Sequence, residues 1–224
     1  MNIFIVISAY NEEKRIGDVI RKVKIYKLPI IVVDDGSVDK TSQVLSRFKI
    51  QDSRFKILKH RVNLGKGAAM KTGAEASFQL GADAVIFMDS DGQHKASDLP
   101  KFVKALKKNK FDVAFGSRNL SLGVPFVRLL GNKFAARLIS LLFGIYVPDL
   151  ICGYRALTKK AYKKIIWEST GYAVETEMVI KTGKYGLKHC EVPVETVYLD
   201  GVKGVTVIDA LNILFDVFRW RVTR

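Results

Sequence analysis

Short apolar runs alternate with amphipathic segments over the first 118 residues of the chain. The β-branched and apolar runs predict buried strands at residues 3–7, 30–33, 55–58, 84–88 and 112–115. Helical spacing of apolar side chains, together with capping residues, predicts intervening helices at residues 12–24, 40–48, 66–79 and 97–107. This order is typical of an α/β protein with a mostly parallel central sheet flanked by helices on both faces.

The second half of the chain is less regular. Helical patterns cover residues 126–143, 159–167 and 174–184, and residues 191–197 alternate as in a strand. Residues 207–220 carry a narrow polar stripe on an otherwise apolar segment, which predicts an amphipathic C-terminal helix. We expect one domain, with halves at 1–118 and 119–206 and the C-terminal helix at 207–224.

Polar side chains collect where the predicted strands end. They are Tyr10, Asn11 and Glu12, then Asp34 and Asp35, then Asp89 and Asp91, and finally Arg118. Ligands of doubly wound sheets bind at the carboxyl ends of the strands, so these residues are expected to border one site.

The segment from Asp89 to Gln93 carries the sharpest chemical signal. Two carboxylates two residues apart, with Gln93 as a further oxygen donor, suit Mg²⁺ or Mn²⁺ that also contacts phosphate oxygens. A polar turn that merely ends the strand is the alternative. Asp34 and Asp35 likewise either accept an N–H group of a nucleotide base or cap the following turn and helix.

Residues 65–67 form a glycine turn at the start of a predicted helix, where backbone N–H groups can bind an anion. The turn lacks the rest of the dinucleotide-binding fingerprint and the spacing of a P-loop, so we reject both of those protein classes. Lys66 within the turn either faces a phosphate or is a solvated surface lysine.

Further charged side chains are candidates for the site. Arg118, Arg128 and Arg137 can form a basic wall for a second anionic group, although Arg137 also fits a solvated helix face. Glu175 and Glu177 serve either as a general base or, as we favour, to orient Arg or Lys partners.

The charge of the chain narrows the choice of partner. With 37 Lys and Arg against 22 Asp and Glu, the formal net charge is +15, which favours nucleic acid, an acidic membrane surface or a phosphorylated substrate.

Cys152 and Cys190 are too few for a four-ligand zinc site, and His94 is the histidine expected to approach the Asp pair. No run approaches the ~20 apolar residues of a membrane span, and no signal peptide is predicted.

Eight stretches carry a resemblance to a known family. They are SAYNEE at 8–13, VVDDGS at 32–37, NLGKG at 63–67, MDSDGQH at 88–94, GSR at 116–118, DLICGYR at 149–155, VETEM at 174–178 and EVPV at 191–194. In this order and spacing, the chain resembles inverting nucleotide-sugar glycosyltransferases of the GT-A fold. Within them it resembles the dolichyl- or polyprenyl-phosphate hexosyltransferases.

The resemblance implies a role for each matching residue. The nucleotide-binding set is Ala9, Tyr10, Glu12, Asp35 and Asp89, with Lys66 added for its place in the glycine turn. The ligands of Mg²⁺ or Mn²⁺ are Asp89, Asp91 and Gln93, and the acceptor phosphate is held by Arg118, Arg128 and Asn132. Asp91, Arg118 and Arg128 are the catalytic candidates.

The implied reaction moves a hexose from a nucleotide sugar to dolichyl or polyprenyl phosphate, with inversion at the anomeric carbon. We favour GDP-mannose over UDP-glucose or another UDP-sugar. We expect a cytoplasmic enzyme, peripheral on an anionic membrane surface. Residues 200–207 lack the Arg and Lys that many members carry in a donor-covering loop, and Lys203 is the candidate substitute.

Two alternatives stay open at this point. One is a glycosyl- or nucleotidyltransferase with a soluble acceptor. The other, more remote, is a basic nucleic-acid-binding protein. We expect no nucleic-acid partner, because the chain lacks RRM, KH and helix-turn-helix signatures and its acidic strand ends would repel phosphate without a metal.

Overall fold

The structure is a computed structural model that describes residues 1–49, 54–107, 111–118, 126–195, 197 and 207–222. Its centre is a seven-stranded sheet in the order β3-β2-β1-β4-β6-β5-β7. The strands are β1 (Ile3–Ala9), β2 (Ile30–Asp34), β3 (Phe55–Lys59), β4 (Ala84–Asp89), β5 (Val113–Arg118), β6 (Arg155–Thr158) and β7 (His189–Val194). Strand β6 runs antiparallel to its neighbours β4 and β5, and the other pairs are parallel. The predicted α/β architecture is confirmed.

Helices cover both faces of the sheet. They are α1 (Ile16–Lys24), α2 (Thr41–Lys49), α3 (Lys66–Gln79), α4 (Leu99–Lys107), α5 (Phe126–Phe143), α6 (Lys159–Ile165), α7 (Val174–Lys184) and α8 (Val207–Val222), with a 3₁₀ turn at Ala96–Asp98. Within the described part of the chain, no helix combines the length and apolar character needed to span a membrane.

Side chains of β1 alternate between two hydrophobic cores, as the pleat of a strand requires. Phe4 and Val6 pack into the core that also contains side chains of α3 and α7. Ile3, Ile5 and Ile7 pack into the core on the other face, with α1 and α4. Because β1 is buried on both faces, it reads in the sequence as a continuous apolar run.

Strand β6 was not predicted, since four residues following a turn carry too little periodicity to indicate a strand. Its first residue, Arg155, is fully buried. The guanidinium donates hydrogen bonds to the main-chain carbonyls of Cys152 (2.8 Å), Leu150 and Glu175, and its carbon lies 5.0 Å from the centre of the Phe115 ring. Arg155 therefore ties the turn before β6 to the first turn of α7.

Several predicted boundaries also differ from the structure, most clearly those of α1 and β7. Helix α1 begins at Ile16 and not at residue 12, because the carbonyl of Glu12 accepts hydrogen bonds from the N–H groups of Arg15 and Ile16 in a preceding turn. Strand β7 spans His189–Val194 where residues 191–197 were predicted. The donor-covering loop proposed around Lys203 lies outside the described residues.

Candidate active site

The register of the sheet brings the polar strand ends together. Ser8 of β1 pairs with Asp89 of β4, and Ala9 pairs with Asp34 of β2. The segment that follows Ala9 therefore passes beside the end of β4. The carboxyl edge of the sheet, where ligands of parallel sheets bind, is thus lined by the residues that the sequence singled out.

The segment after β1 is held by side chains from the loop before α2 and from its first residue. The N–H of Glu12 donates to Thr41 Oγ1 at 2.8 Å, and the N–H of Asn11 donates to Ser37 Oγ at 3.0 Å. Tyr10, between the end of β1 and Asn11, is exposed, so its ring is available to a ligand. Burial and the negative charge of Asp91 raise the pKa of Glu12, against the opposing effect of Arg15.

Lys66, the first residue of α3, lies between two carboxylates. Its Nζ is 2.7 Å from Asp89 Oδ1 and 2.8 Å from Glu175 Oε1. Burial alone would lower the pKa of Lys66, but the two carboxylates outweigh that effect and raise it. Lys66 is therefore a charged, largely buried ion-pair residue and not the solvated lysine that the sequence left as an alternative. The predicted role of Glu175 in orienting a cationic partner agrees with this contact.

His94 supports Asp89 from the opposite side. The main-chain N–H of Asp89 donates to His94 Nδ1 at 3.1 Å, and Nε2 lies 3.8 Å from Asp89 Oδ2. The ring stacks on Tyr154 with centroids 4.9 Å apart. Burial lowers the pKa of His94 despite the nearby carboxylate, so the imidazole is neutral at pH 7. The expected approach of His94 to the site is confirmed.

Asp89 and Asp91 lie close enough to influence each other. Burial raises the pKa of Asp91, and the charge of Asp89 raises it further. Burial also opposes ionisation of Asp89, but the ammonium of Lys66 outweighs it and lowers the pKa of Asp89. One oxygen of Asp91 accepts a hydrogen bond from the N–H of Gln93 at 2.9 Å.

These donors fit a divalent cation. Burial and the charge of Asp89 already raise the pKa of Asp91. A positive ion shared by the two carboxylates would therefore stabilise their charged forms. Among the described residues, no group of three or more His, Cys, Asp or Glu side chains is arranged around a metal position. Binding of a metal by Asp89 and Asp91, with Gln93 as the third ligand, stays a prediction.

Asp35 and Asp34 hold the loops beside the site. Asp35 accepts hydrogen bonds from the N–H groups of Leu64 (3.0 Å) and Gly65 (2.8 Å), and its Oδ1 lies 2.6 Å from His60 Nδ1. Asp34 accepts from the N–H of Ser37 at 3.0 Å. The capping alternative is thus present for Asp34, whereas Asp35 holds the loop before α3 and its contact with a base stays a prediction.

Arg118, which is predicted to hold the acceptor phosphate, is anchored by a carboxylate. Arg118 donates to Asp149 through Nε (2.7 Å), Nη2 (2.8 Å) and its main-chain N–H (3.2 Å). The charge of Arg118 also contributes to the lowered pKa of Asp89, after the larger effect of Lys66. Asp149 is fully buried. Asp149 belongs to one of the stretches that resemble the family, but the sequence did not indicate that it anchors Arg118.

Asn132 and the remaining arginines lie in or beside α5. The Asn132 side chain donates to the carbonyl of Pro148 and accepts from the N–H of Leu150 at 3.3 Å, so it fixes the turn that carries Asp149. Arg137 is exposed, as the solvated alternative predicted. The side chain of Arg128 lies outside the described residues, and its contact with an acceptor phosphate stays a prediction.

Residues from the second half of the chain cover the glycine turn. The N–H of Gly67 donates to the carbonyl of Thr170 at 2.6 Å, and Glu177 accepts from the N–H groups of Glu168 (2.9 Å) and Ser169 (2.8 Å). A Cβ on Gly67 would lie 2.1 Å from the carbonyl oxygen of Ser169. The turn therefore contacts a neighbouring loop, which limits the access of an anion to this helix start.

Comparison with known proteins identifies the family. Residues 4–166 match the model of glycosyl transferase family 2. An uncharacterized protein of Methanocaldococcus jannaschii is 37% identical over 98% of this chain and 92% of its own length. The UDP-N-acetylglucosamine–dolichyl-phosphate N-acetylglucosaminyltransferase of Methanococcus voltae is 30% identical over 95% of this chain and 93% of its own. Polyprenol monophosphomannose synthase of Mycolicibacterium smegmatis is 28% identical, with coverages of 96% and 85%.

Solved structures share the fold. Mannosyl-3-phosphoglycerate synthase of Rubrobacter xylanophilus superimposes with a TM-score of 0.73 at 17% identity, over 99% of this chain and 74% of that one. Glucosyl-3-phosphoglycerate synthase of Mycobacterium tuberculosis, solved with Mn²⁺, UDP-glucose and phosphoglyceric acid, gives 0.72 at 19% identity, over 98% and 79%. The predicted GT-A fold is confirmed, and the chain belongs to glycosyl transferase family 2.

Proposed function

We propose that this glycosyltransferase moves a sugar from a nucleotide sugar to a polyprenyl or dolichyl phosphate, with a divalent cation bound at Asp89 and Asp91. The observation that carries the proposal is the pair of carboxylates beyond β4: burial and the charge of Asp89 raise the pKa of Asp91, and the charges of Lys66 and Arg118 act on Asp89. Relatives matched over nearly the full chain are named for dolichyl-phosphate and polyprenol acceptors, which supports the lipid phosphate.

The chemistry of this acceptor explains why the site needs no dedicated base. A phosphate monoester has a second pKa of about 6 and is largely dianionic at pH 7, so its oxygen is already a nucleophile. His94 is buried and hydrogen-bonded to the main chain of Asp89, and this arrangement suits support of the site better than proton transfer. The work of the protein is then to position two anionic groups and to stabilise their charge.

Positive side chains would bring those anions together. Asp149 fixes the direction of the Arg118 guanidinium, so an acceptor phosphate meets a cation that is already positioned. Arg128 and Asn132, from the first turns of α5, are the further proposed contacts. Asp89, Asp91 and Gln93 would hold the metal, which supplies Lewis-acid neutralisation of the departing diphosphate.

A transfer assay with a panel of donors tests the proposal. Radiolabelled GDP-mannose, UDP-glucose and UDP-N-acetylglucosamine are each incubated with a polyprenyl phosphate and Mn²⁺, and the lipid phase is counted. We favour GDP-mannose from the sequence, whereas the name of the Methanococcus voltae relative supports UDP-N-acetylglucosamine. We expect one of the three donors to label the lipid. Labelling of soluble 3-phosphoglycerate in place of the lipid would favour the soluble-acceptor alternative.

A variant of Asp91, compared with a matched surface variant, tests the proposed metal site in the same assay. Asp91→Asn should lower transfer about 100-fold or more, because a charge-stabilising group at the reacting centre is lost. Asp18→Asn is the matched control, since Asp18 is an exposed aspartate on α1 that pairs with Arg21. Equal transfer by Asp91→Asn and Asp18→Asn would contradict the metal site.

We further propose that α8 docks on an anionic membrane surface. The exposed fraction of Phe215 is 72%, and Phe218 and Val222 are also exposed at helical spacing along one side. Arg219 and Arg221 lie beside them, and each basic side chain near an anionic surface contributes about 1 kcal/mol. An apolar stripe next to basic side chains is typical of helices that lie in the interface of a bilayer.

Helix α5, which contacts α8, extends this surface with exposed Phe134 and Leu141. Cosedimentation with vesicles containing phosphatidylglycerol tests the docking. Phe215→Ser/Phe218→Ser should weaken binding about tenfold or more, because two apolar side chains no longer enter the bilayer. Ile25→Ser is the control, since Ile25 is 73% exposed and follows α1, on the other face of the sheet. Equal losses in both variants would contradict the proposal.

A further inference from the structure

The position of Lys66 needs an explanation beyond the family chemistry. A lysine at the first residue of a helix faces the positive end of the helix dipole, and burial of an ammonium is costly without partners. Lys66 is nevertheless largely buried, and Asp89 and Glu175 contact its Nζ at 2.7 and 2.8 Å. The arrangement therefore depends on both carboxylates.

Glu175 is built into the fold as the second partner. Its side chain is only 3% exposed, it belongs to the first turn of α7, and Arg155 holds its main-chain carbonyl. The turn before β6 closes the space above the ion pair, because a Cβ on Gly153 would lie 2.6 Å from Lys66 Nζ and 2.5 Å from Asp89 Oδ2. Lys66 is thus enclosed, and it occupies one of the two oxygens that Asp89 offers to a metal.

We propose that Lys66, held in place by Glu175, is a built-in counter-ion of Asp89 that weakens the binding of a divalent cation to the free enzyme. The inference rests on the proposed metal site at Asp89 and Asp91. A cation that binds Asp89 must either share the carboxylate with the ammonium or displace it, and both routes oppose binding. The diphosphate of a donor then adds the negative charge that offsets the ammonium.

Removal of the pair tests this with Mn²⁺ alone, since free Mn²⁺ is measured by electron paramagnetic resonance without any turnover. Lys66→Met/Glu175→Gln deletes one positive and one negative charge, so the net charge of the protein is unchanged. We expect Mn²⁺ to bind at least about tenfold more tightly than to the wild type, which corresponds to about 1.4 kcal/mol. A general loss of site structure would change affinity in the opposite direction.

The chain offers a matched control. Lys95, two residues after Gln93, forms an ion pair with Glu195, and the two side chains are 42% and 66% exposed. Lys95→Met/Glu195→Gln removes the same two charges from the surface, and we expect Mn²⁺ affinity within twofold of the wild type. Asp91→Asn should abolish Mn²⁺ binding in this assay and so identifies the site being titrated.

A second variant covers the case in which the double variant does not fold. Glu175→Gln leaves Lys66 paired with Asp89 alone, so Mn²⁺ should bind severalfold more weakly than to the wild type. Unchanged or weaker binding by a folded Lys66→Met/Glu175→Gln, or unchanged or tighter binding by Glu175→Gln, would overturn the inference while the metal site stands. Absence of Mn²⁺ binding by the wild type and by the double variant at millimolar concentration would overturn the proposed metal site as well.

Discussion

Gly153 offers a direct perturbation of the candidate site. It lies in the turn before β6, and no positive φ constrains it, so alanine fits the backbone conformation. An added Cβ would lie 2.5 Å from Asp89 Oδ2, 2.6 Å from Lys66 Nζ and 2.9 Å from Asp89 Oδ1. The three nearest contacts of the new methyl group are thus with the two charged groups of the site.

The size of the effect follows from these distances. Ordinary van der Waals contact begins at 3.4 Å, so the closest oxygen must move by about 0.9 Å (3.4 − 2.5). Overpacking of this kind typically costs about 1–3 kcal/mol, and a displacement of about 1 Å at a reacting group can cost about 100-fold in rate. For Gly153→Ala we therefore expect about 100-fold lower transfer and a loss of about 1–2 kcal/mol in the free energy of unfolding.

The assay compares transfer rates and urea unfolding for two alanine variants. Gly171→Ala is the control, because nothing lies within 4 Å of a Cβ at that position. It should match the wild type in both measurements. Transfer by Gly153→Ala within threefold of the wild type would refute the reasoning, since it would show that Asp89 and Lys66 can move without consequence for the reaction.

Three further predictions concern stability. Arg155→Met should lower the free energy of unfolding by about 3 kcal/mol or more in urea titrations, because three buried carbonyls lose their donor; a loss below 1 kcal/mol would contradict this role. Tyr154→Phe should raise that free energy by about 1 kcal/mol, since the buried hydroxyl has no hydrogen-bond partner among the described residues, and a lower value would contradict the assignment. At pH 7 in EDTA, Asp91→Asn should raise the melting temperature and Asp89→Asn should lower it, because the pKa of Asp91 is raised and that of Asp89 lowered in the folded protein. The gain from Asp91→Asn should decline as the pH falls from the raised pKa of Asp91 to the ordinary pKa of an aspartate. The loss from Asp89→Asn should decline as the pH falls from the ordinary pKa to the lowered pKa of Asp89. Shifts of equal sign at pH 7 would be the contrary result.

The sequence predicted the parallel strands well because their information is local. Strand β1 is a continuous apolar run, and this run alone predicts that the strand is buried on both faces. The pair Asp89 and Asp91 was likewise visible, since both residues follow one strand. The chain order of strands and helices then placed their ends on one edge of the sheet.

Contacts between distant segments were not accessible in the same way. Lys66 and Glu175 were each singled out, but only the tertiary structure shows that Lys66 contacts both Glu175 and Asp89. Arg155 appeared in the sequence as one residue of a matching stretch, and its burial depends on the antiparallel insertion of β6 between β4 and β5. Such pairings depend on tertiary structure and leave no periodic signal.

The central claim is that Asp89 and Asp91 bind a cation that neutralises the diphosphate of a nucleotide sugar. Calorimetric titration of GDP and UDP into the protein, with Mn²⁺ and then with EDTA, tests it most directly. We predict tight binding of one nucleotide that requires Mn²⁺ and is lost in Asp91→Asn. Binding of equal affinity in EDTA, or binding unchanged by Asp91→Asn, would contradict the claim.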